Sequence, residues 1–219
     1  MKKLAGFSAV IFDMDGLVLD TEATYCIAWQ KASEGMGYNF TTAFCLSMSG
    51  LHHQDVQRRL TDACGDNFNL KQFADLSGKY WYQHVNQQGI PVKKGFLNIL
   101  AELKAKNIPF CLATNSPEKN ALECLSLANL NGIFNDVITR DHVQQGKPAP
   151  DVFLLAAKVL STPVSQCLVI EDSKTGIQAA VNAGANSVFI PSVLPVDATA
   201  VALADYLFND LEELAQIIH

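Results

Sequence analysis

Along this chain, short unbroken apolar runs alternate with segments whose apolar residues recur at helical spacing. The first run, Ala9–Phe12, is bounded by Ser8 and Asp13. A continuous run of this kind, without polar alternation, fits a strand buried on both faces. Lys94–Asn107 carries Leu97, Leu100 and Leu103 at roughly helical spacing, and Ile108–Ala113 gives the next strand. Pro117 begins a helix, where its missing N–H costs little, with Leu122 and Leu125 on the apolar face. Val137–Thr139 predicts a short strand, and Pro150 opens a helix containing Phe153, Leu154 and Leu155. Cys167–Ile170 reads as a strand, Gly176–Ala183 as a helix of small residues, and Ser187–Ile190 and Tyr206–Phe208 as strands. Leu211–Ile218 closes the chain as a helix. Apolar strands each followed by a helix predict a parallel sheet covered on both faces. Ligands of such sheets bind outside the carboxyl ends of the strands. Asp13, Thr114 and the pair Glu171–Asp172 each end a strand-like run, so all four fall on that edge.

Residues 21–90 break the rhythm, with helical patterning and no convincing strand. Val56, Leu60 and Ala63 share one face; Phe73, Leu76 and Tyr80 share another. Tyr25, Trp29 and Tyr80 read as packing residues of this segment. The expected organisation is a core of residues 1–20 and 91–219 with a helical cap, residues 21–90, inserted after the first strand. A compact insertion over the ligand edge would act as a lid, hinged near Leu17–Thr21 and Gln88–Lys94.

Composition narrows the function. A chain of 219 residues with 49% apolar and 17% charged residues is long enough for one large domain or a core with a small companion. The net charge of −6 argues against nucleic acid held on a basic surface, although a local cation can still reverse the field within a pocket. No apolar run is long enough to span a bilayer, so no membrane partner is expected. The opening MKKLAGFSAVIFDMDG places two lysines before apolar residues, as a signal peptide would. Its apolar run is short and ends in two aspartates, so it reads as the first strand and no export signal is expected. The six cysteines, at 26, 45, 64, 111, 124 and 167, include no C-x-x-C pair, which argues against zinc. Cys111 and Cys167 lie in apolar strands as small hydrophobes. A reducing, cytoplasmic setting is expected.

Four short segments gather on the predicted edge: DMDG at 13–16, ATNS at 113–116, GKPAPD at 146–151 and IEDSKTGIQAA at 170–180. Together, and with the phrase FDMDGLVLDT, they resemble the haloacid dehalogenase superfamily. The closer resemblance is to its phosphatases and β-phosphoglucomutase-like members with a small helical cap. It covers essentially the whole chain. It implies an α/β fold, a Rossmann-like parallel sheet with helices on both faces plus the inserted cap.

The residue chemistry agrees with phosphoryl transfer, which needs a nucleophile, charge neutralisation and a proton for the leaving group. Asp13, entering the crevice first, is the candidate nucleophile, able to form an aspartyl phosphate. Asp15, two residues on, is the candidate general acid and then base, with Gly16 supplying turn freedom. Two carboxylates this close disfavour double ionisation, and a bound magnesium ion would relieve that. The resemblance implies magnesium held by the Asp13 carboxylate, the Asp15 backbone carbonyl and Asp172, with Glu171 in support, through water or by contact with the residues around the ion. Thr114 and Asn115, at a helix start, are expected to bind phosphoryl oxygens, and Lys147 to offset charge on phosphate and nucleophile. Ser116 reads as an ordinary helix cap before Pro117, and Asp151 as a capping or loop-bracing residue.

Substrate choice is expected in the cap. Gly50 resembles the glycine of the family's specificity loop, and His52 or His53 is a candidate contact to a substrate hydroxyl. Arg58 and Arg59 read as a solvated face. In the family's phosphoglucomutases a histidine assists from the first cap helix; here Tyr25 stands there, and a neutral phenol is a poor base near pH 7. True dehalogenases lack the second motif aspartate, so Asp15 counts against carbon–halogen cleavage. The reading is a magnesium-dependent phosphomonoester hydrolase for a small phosphorylated metabolite, such as a sugar phosphate or nucleoside monophosphate. It is expected to be a monomer, with a homodimer as the alternative state. The alternative functions are a phosphosugar mutase and a non-enzymatic binding protein that retains the fold.

Overall fold

The computed structural model describes residues 4, 6–48 and 53–218. The chain forms two compact units, Met1–Leu19 with Pro91–His219, and Asp20–Ile90. In the first, six strands make one sheet: β1 (Ala9–Phe12), β2 (Phe110–Ala113), β3 (Val137–Ile138), β4 (Cys167–Glu171), β5 (Asn186–Phe189) and β6 (Tyr206–Leu207). They lie in the order β3-β2-β1-β4-β5-β6, and all five pairings are parallel. The direction of winding reverses at β1, and ligand crevices open at such a point.

Strand alternation distributes β1 between two cores. Ile11 joins Val152, Phe153, Ala156, Ala179 and Ala180, from α7 (Asp151–Val159) and α8 (Lys174–Ala183). Phe12 points the other way and meets Phe96 edge-to-face at 5.5 Å, at the start of α5 (Phe96–Ala105). β1 and β4 are buried throughout, as their unbroken apolar composition requires.

Register then fixes the site. Phe12 stands opposite both Leu112 and Ile170. The next residue, Asp13, therefore lies between the end of β2 and the end of β4, its N–H still bonded to Ile170 O at 3.0 Å. The chain segments entering and leaving the insertion run side by side at Leu19 and Val92, with Lys93 N donating to Val18 O at 2.9 Å.

The second unit holds α1 (Thr21–Gly35), α2 (Thr42–Leu46), α3 (His53–Cys64) and α4 (Leu70–Gln88). Phe40, Phe68, Phe73, Leu60, Cys26 and Cys45 form its centre, with Val56, Cys64, Leu76, Trp29 and Tyr80 packed around them. Cys64 takes the place expected for Ala63, which is exposed: the helix continues its face by i+4 steps from Val56 and Leu60. Tyr25 stacks on Trp81 at 5.4 Å and on Trp29 at 6.1 Å, and Trp81 Nε1 donates to Thr24 Oγ1 at 2.9 Å. Arg58 pairs with Asp55 at 3.4 Å on an exposed face.

Between β2 and β3 lies α6 (Glu118–Leu127). Pro117 and Pro150 both stand one residue before their helices, at the cap. The closing helix α10 spans Leu211–Ala215, short of the expected Ile218. A further helix, α9 (Ala198–Leu203), escapes the pattern reading, because ATAVAL is nearly uniform and shows no helical contrast. No helix among the described residues is long and apolar enough to cross a membrane.

Candidate active site

The site is organised around Lys147. Its backbone is clamped by Asn115, whose Oδ1 accepts from Lys147 N at 2.8 Å and whose Nδ2 donates to Lys147 O at 3.1 Å. Asp151 braces the same loop by accepting from Gln145 N at 3.2 Å, and Asn182 Nδ2 donates to Pro148 O at 2.9 Å. The side chain lies over the Phe153 ring, with Nζ 4.9 Å from its centre. At the tip, Nζ donates to Asp13 Oδ1, to Glu171 Oε1 at 2.6 Å and to Ala113 O at 2.9 Å. Those three acceptors are the ends of three neighbouring strands. An ammonium has three N–H groups, and all are spent here, so Lys147 offers a ligand its charge rather than a free donor.

Glu171 is fully enclosed. Its Oε2 accepts from Asp172 N at 3.0 Å, Ser173 N at 3.1 Å and Ser173 Oγ at 3.0 Å. The carboxylate thus folds over the start of α8, where unpaired N–H groups and the helix dipole favour a negative charge. Both Glu171 oxygens are engaged, Oε1 by Lys147 and Oε2 by the α8 turn, so the carboxylate braces the lysine and the Asp172 backbone beside it. Gly176 makes this possible. A Cβ there would coincide with the Glu171 carboxylate.

Asp15 is held from β2. Ser116 Oγ donates to its Oδ2 at 2.8 Å, and Thr114 Oγ1 lies 3.5 Å from the same oxygen. This corrects the reading of Ser116 as a helix cap: α6 has Pro117 at its cap position with no side-chain bond, and Glu118 N is served by Asp141 Oδ2 at 2.9 Å. Asn115 spends its amide oxygen and one amide N–H on Lys147. Asp172 is buried beside Gly16, which has φ +79. A Cβ on Gly16 would strike the Asp172 carboxylate and sit 3.1 Å from Ser192 Oγ, so the DMDG glycine serves both turn and close approach.

Oxygens of Asp13, Glu171 and Asp172 all lie within 4.8 Å of one another. Burial pushes the Asp13 carboxyl up to about 8; Glu171 and Asp15 add to the rise and Lys147 opposes it without prevailing. Burial pulls Lys147 down, but Asp13 and Glu171 outweigh it and hold the ammonium above its ordinary range. Ionised together, these three acids answered by one ammonium would carry excess negative charge. Hard oxygen donors with such an excess suit a divalent cation of the magnesium type.

Gly50 and His52 lie outside the described residues, as does the His53 side chain; the His53 backbone begins α3. Ser116, Ser173, Gly176 and the Ala113 carbonyl are parts of the site that sequence reasoning did not assign to it. The GIQAA run carried a hint in its glycine near a helix start, but nothing local marked Ser116.

Carboxylates at the ends of β1 and β4, served by a lysine from a third segment, define an α/β enzyme whose chemistry is carried by acids at strand ends. The family described as haloacid dehalogenase-like hydrolase matches residues 10–190, and the chain belongs to that family. It is 29% identical over 214 residues to a phosphorylated carbohydrates phosphatase of Thermotoga maritima, covering 94% of this chain and 99% of the relative. It is 31% identical over 196 residues to a protein of Drosophila melanogaster named probable pseudouridine-5'-phosphatase, covering 87% and 84%. A hydrolase of the same family from Deinococcus radiodurans, solved with bound phosphate and sodium, superposes with a TM-score of 0.82 at 27% identity, covering 96% and 94%.

Proposed function

We propose that this chain is a magnesium-dependent hydrolase of small phosphomonoesters that works through an aspartyl phosphate on Asp13. The coarser statement is secure from its relatives: it is a phosphoric monoester hydrolase. The observation that carries the finer one is the contact of Lys147 with Asp13 at the junction of three strand ends, beside Asp172. It fixes the Asp13 carboxyl at the crevice, where its ionised form would face an entering substrate.

In the first step an Asp13 oxygen attacks phosphorus, the ester P–O bond breaks, and Asp15 gives its proton to the departing alcohol. In the second, Asp15 takes a proton from water as the water oxygen attacks phosphorus. The P–O bond to Asp13 then breaks, which frees phosphate and restores both acids. Lys147 offsets charge on Asp13 and on the phosphoryl group, while Thr114 and the remaining amide N–H of Asn115 contact phosphoryl oxygens. Magnesium would be held by the Asp13 and Asp172 carboxylates and the Asp15 carbonyl, and when bound it supplies charge neutralisation at phosphoryl oxygens.

The relatives' names support sugar phosphates and nucleoside-type monophosphates as substrate classes. In this reading the Asp20–Ile90 unit, with Gly50, His52 and His53, sets the choice among them, and no nucleic acid or membrane partner is involved. The six cysteines are free thiols, which supports a reducing, cytoplasmic setting.

Phosphate release across a panel of phosphorylated metabolites tests the proposal. Turnover of several sugar or nucleoside monophosphates is expected with magnesium, lost in chelator and lost in Asp13→Asn with the fold intact. No turnover anywhere on the panel, or full activity of Asp13→Asn, would overturn it. Isomeric phosphate in place of free phosphate would mark a mutase.

A further inference from the structure

Ser116 precedes a proline and a helix, the setting of a cap residue, yet α6 takes no cap bond from it. The first N–H of that helix is served instead by Asp141. The Ser116 hydroxyl is spent 101 positions away in sequence, on Asp15 Oδ2 at 2.8 Å. Its own N–H donates to Thr114 Oγ1 at 3.0 Å, which pins the turn that aims the hydroxyl. Thr114 Oγ1 approaches the same Asp15 oxygen at 3.5 Å. Two hydroxyls from the end of β2 therefore converge on one oxygen of a carboxyl that belongs to the β1 loop.

We infer that Ser116 is a positioning residue for the proton carrier: it holds Asp15 through Oδ2 and so fixes the direction in which the carboxyl gives and takes its proton. This rests on the reading of Asp15 as general acid and base. A hydrogen bond to a carboxylate is among the stronger ones and directional. A general acid contributes only when its proton lies along the bond to the leaving oxygen. Thr114 at 3.5 Å is too long to replace that hold.

The test is single-turnover release of alcohol, with magnesium, from phenyl phosphate and from p-nitrophenyl phosphate, whose leaving group needs less help from an acid. Ser116→Ala keeps the backbone bond to Thr114 and removes only the hydroxyl. It should slow phenol release by about 10-fold, while p-nitrophenol release changes by less than about 3-fold, with KM for both within about 3-fold of wild type. In an Asp15→Asn background the same substitution should have no further effect, since nothing is left to orient. Equal loss on both esters, a raised KM at unchanged rate, or an undiminished penalty in the Asp15→Asn background would overturn the inference. Should Asp15→Asn itself slow both esters equally, the reading beneath it fails, and the positioning role with it. That outcome is distinct from a leaving-group-sensitive Asp15→Asn beside an insensitive Ser116→Ala, which sinks the Ser116 role alone.

Discussion

Lys147 Nζ and Glu171 Oε1 meet at 2.6 Å, and the two side chains are 3% and 0% exposed. A charge pair so enclosed is a structural commitment as well as a functional one. Removing one member leaves the other buried without compensation, at a cost of about 3–5 kcal/mol. Here the loss of Lys147 would strand Glu171 and Asp13 together. Lys147→Met is therefore expected to lose at least ~3 kcal/mol of unfolding free energy in urea, along with turnover. Adding Glu171→Gln should recover part of the stability and none of the activity. A Lys147→Met protein as stable as wild type would show that the acids do not depend on the ammonium.

Asn115 should act on turnover through Lys147. Asn115→Asp keeps the acceptor for Lys147 N and loses the donor to Lys147 O, while placing a new negative charge near the phosphate. Both changes weaken catalysis, so a loss of about 10–100-fold in kcat/KM is expected. Asn115→Ala, which adds no charge, should lose less on KM than Asn115→Asp. Steady-state kinetics of both variants with p-nitrophenyl phosphate would decide it, and equal KM values would argue that Asn115 lies away from the phosphate.

Asp13 gives a pH test whose sign is fixed. Its carboxyl is raised from an ordinary 3.8 to about 8, so between those values the folded chain binds a proton that the unfolded chain has released. Folded stability from this group is then full below the ordinary value and is lost as pH rises toward about 8. In chelator, the unfolding free energy of Asp13→Asn minus that of wild type should grow steadily from about pH 5 to about pH 8. Saturating magnesium should shrink the difference, because an ionised Asp13 is then a ligand and binding stabilises the folded state. Parallel stability curves, with or without magnesium, would contradict the assignment.

These expectations also mark where the sequence was readable. The strand-end acids were legible because a short apolar run such as CLVIED, set between helical segments, fits a buried strand that delivers its carboxylates to an edge, and parallel winding puts all such edges together. The haloacid dehalogenase-like motifs then supplied the order of parts. Ser116 was misread because Ser-Pro before a helix satisfies a local rule, while the contact that overrides it spans 101 residues and depends on register between β1 and β2. The commitment of Glu171 to the α8 turn escaped for the same reason. Ala63 was assigned to the buried face of α3 and Cys64 takes it, since i+3 and i+4 spacings are both helical and only packing chooses between them.

Two helical glycines turn that distinction into opposite outcomes. Gly78 lies within α4 on an exposed face, and nothing comes within 4 Å of a Cβ placed there. Gly78→Ala should stabilise the protein by about 0.5–1 kcal/mol, since alanine restricts the unfolded chain and favours helix. Gly176 is also helical, in the first turn of α8, so propensity alone predicts the same gain. Its Cβ, however, would occupy the space of the Glu171 carboxylate, which would have to leave Ser173 and Lys147. Gly176→Ala is expected to lower stability by ~2 kcal/mol or more, as buried polar groups lose their partners, and to reduce turnover as Lys147 loosens. Thermal and urea unfolding of the two variants side by side decides the matter. A stabilising Gly176→Ala would mean that the Glu171 carboxylate is not held over the α8 turn, and the account of how Lys147 is fixed would fall with it.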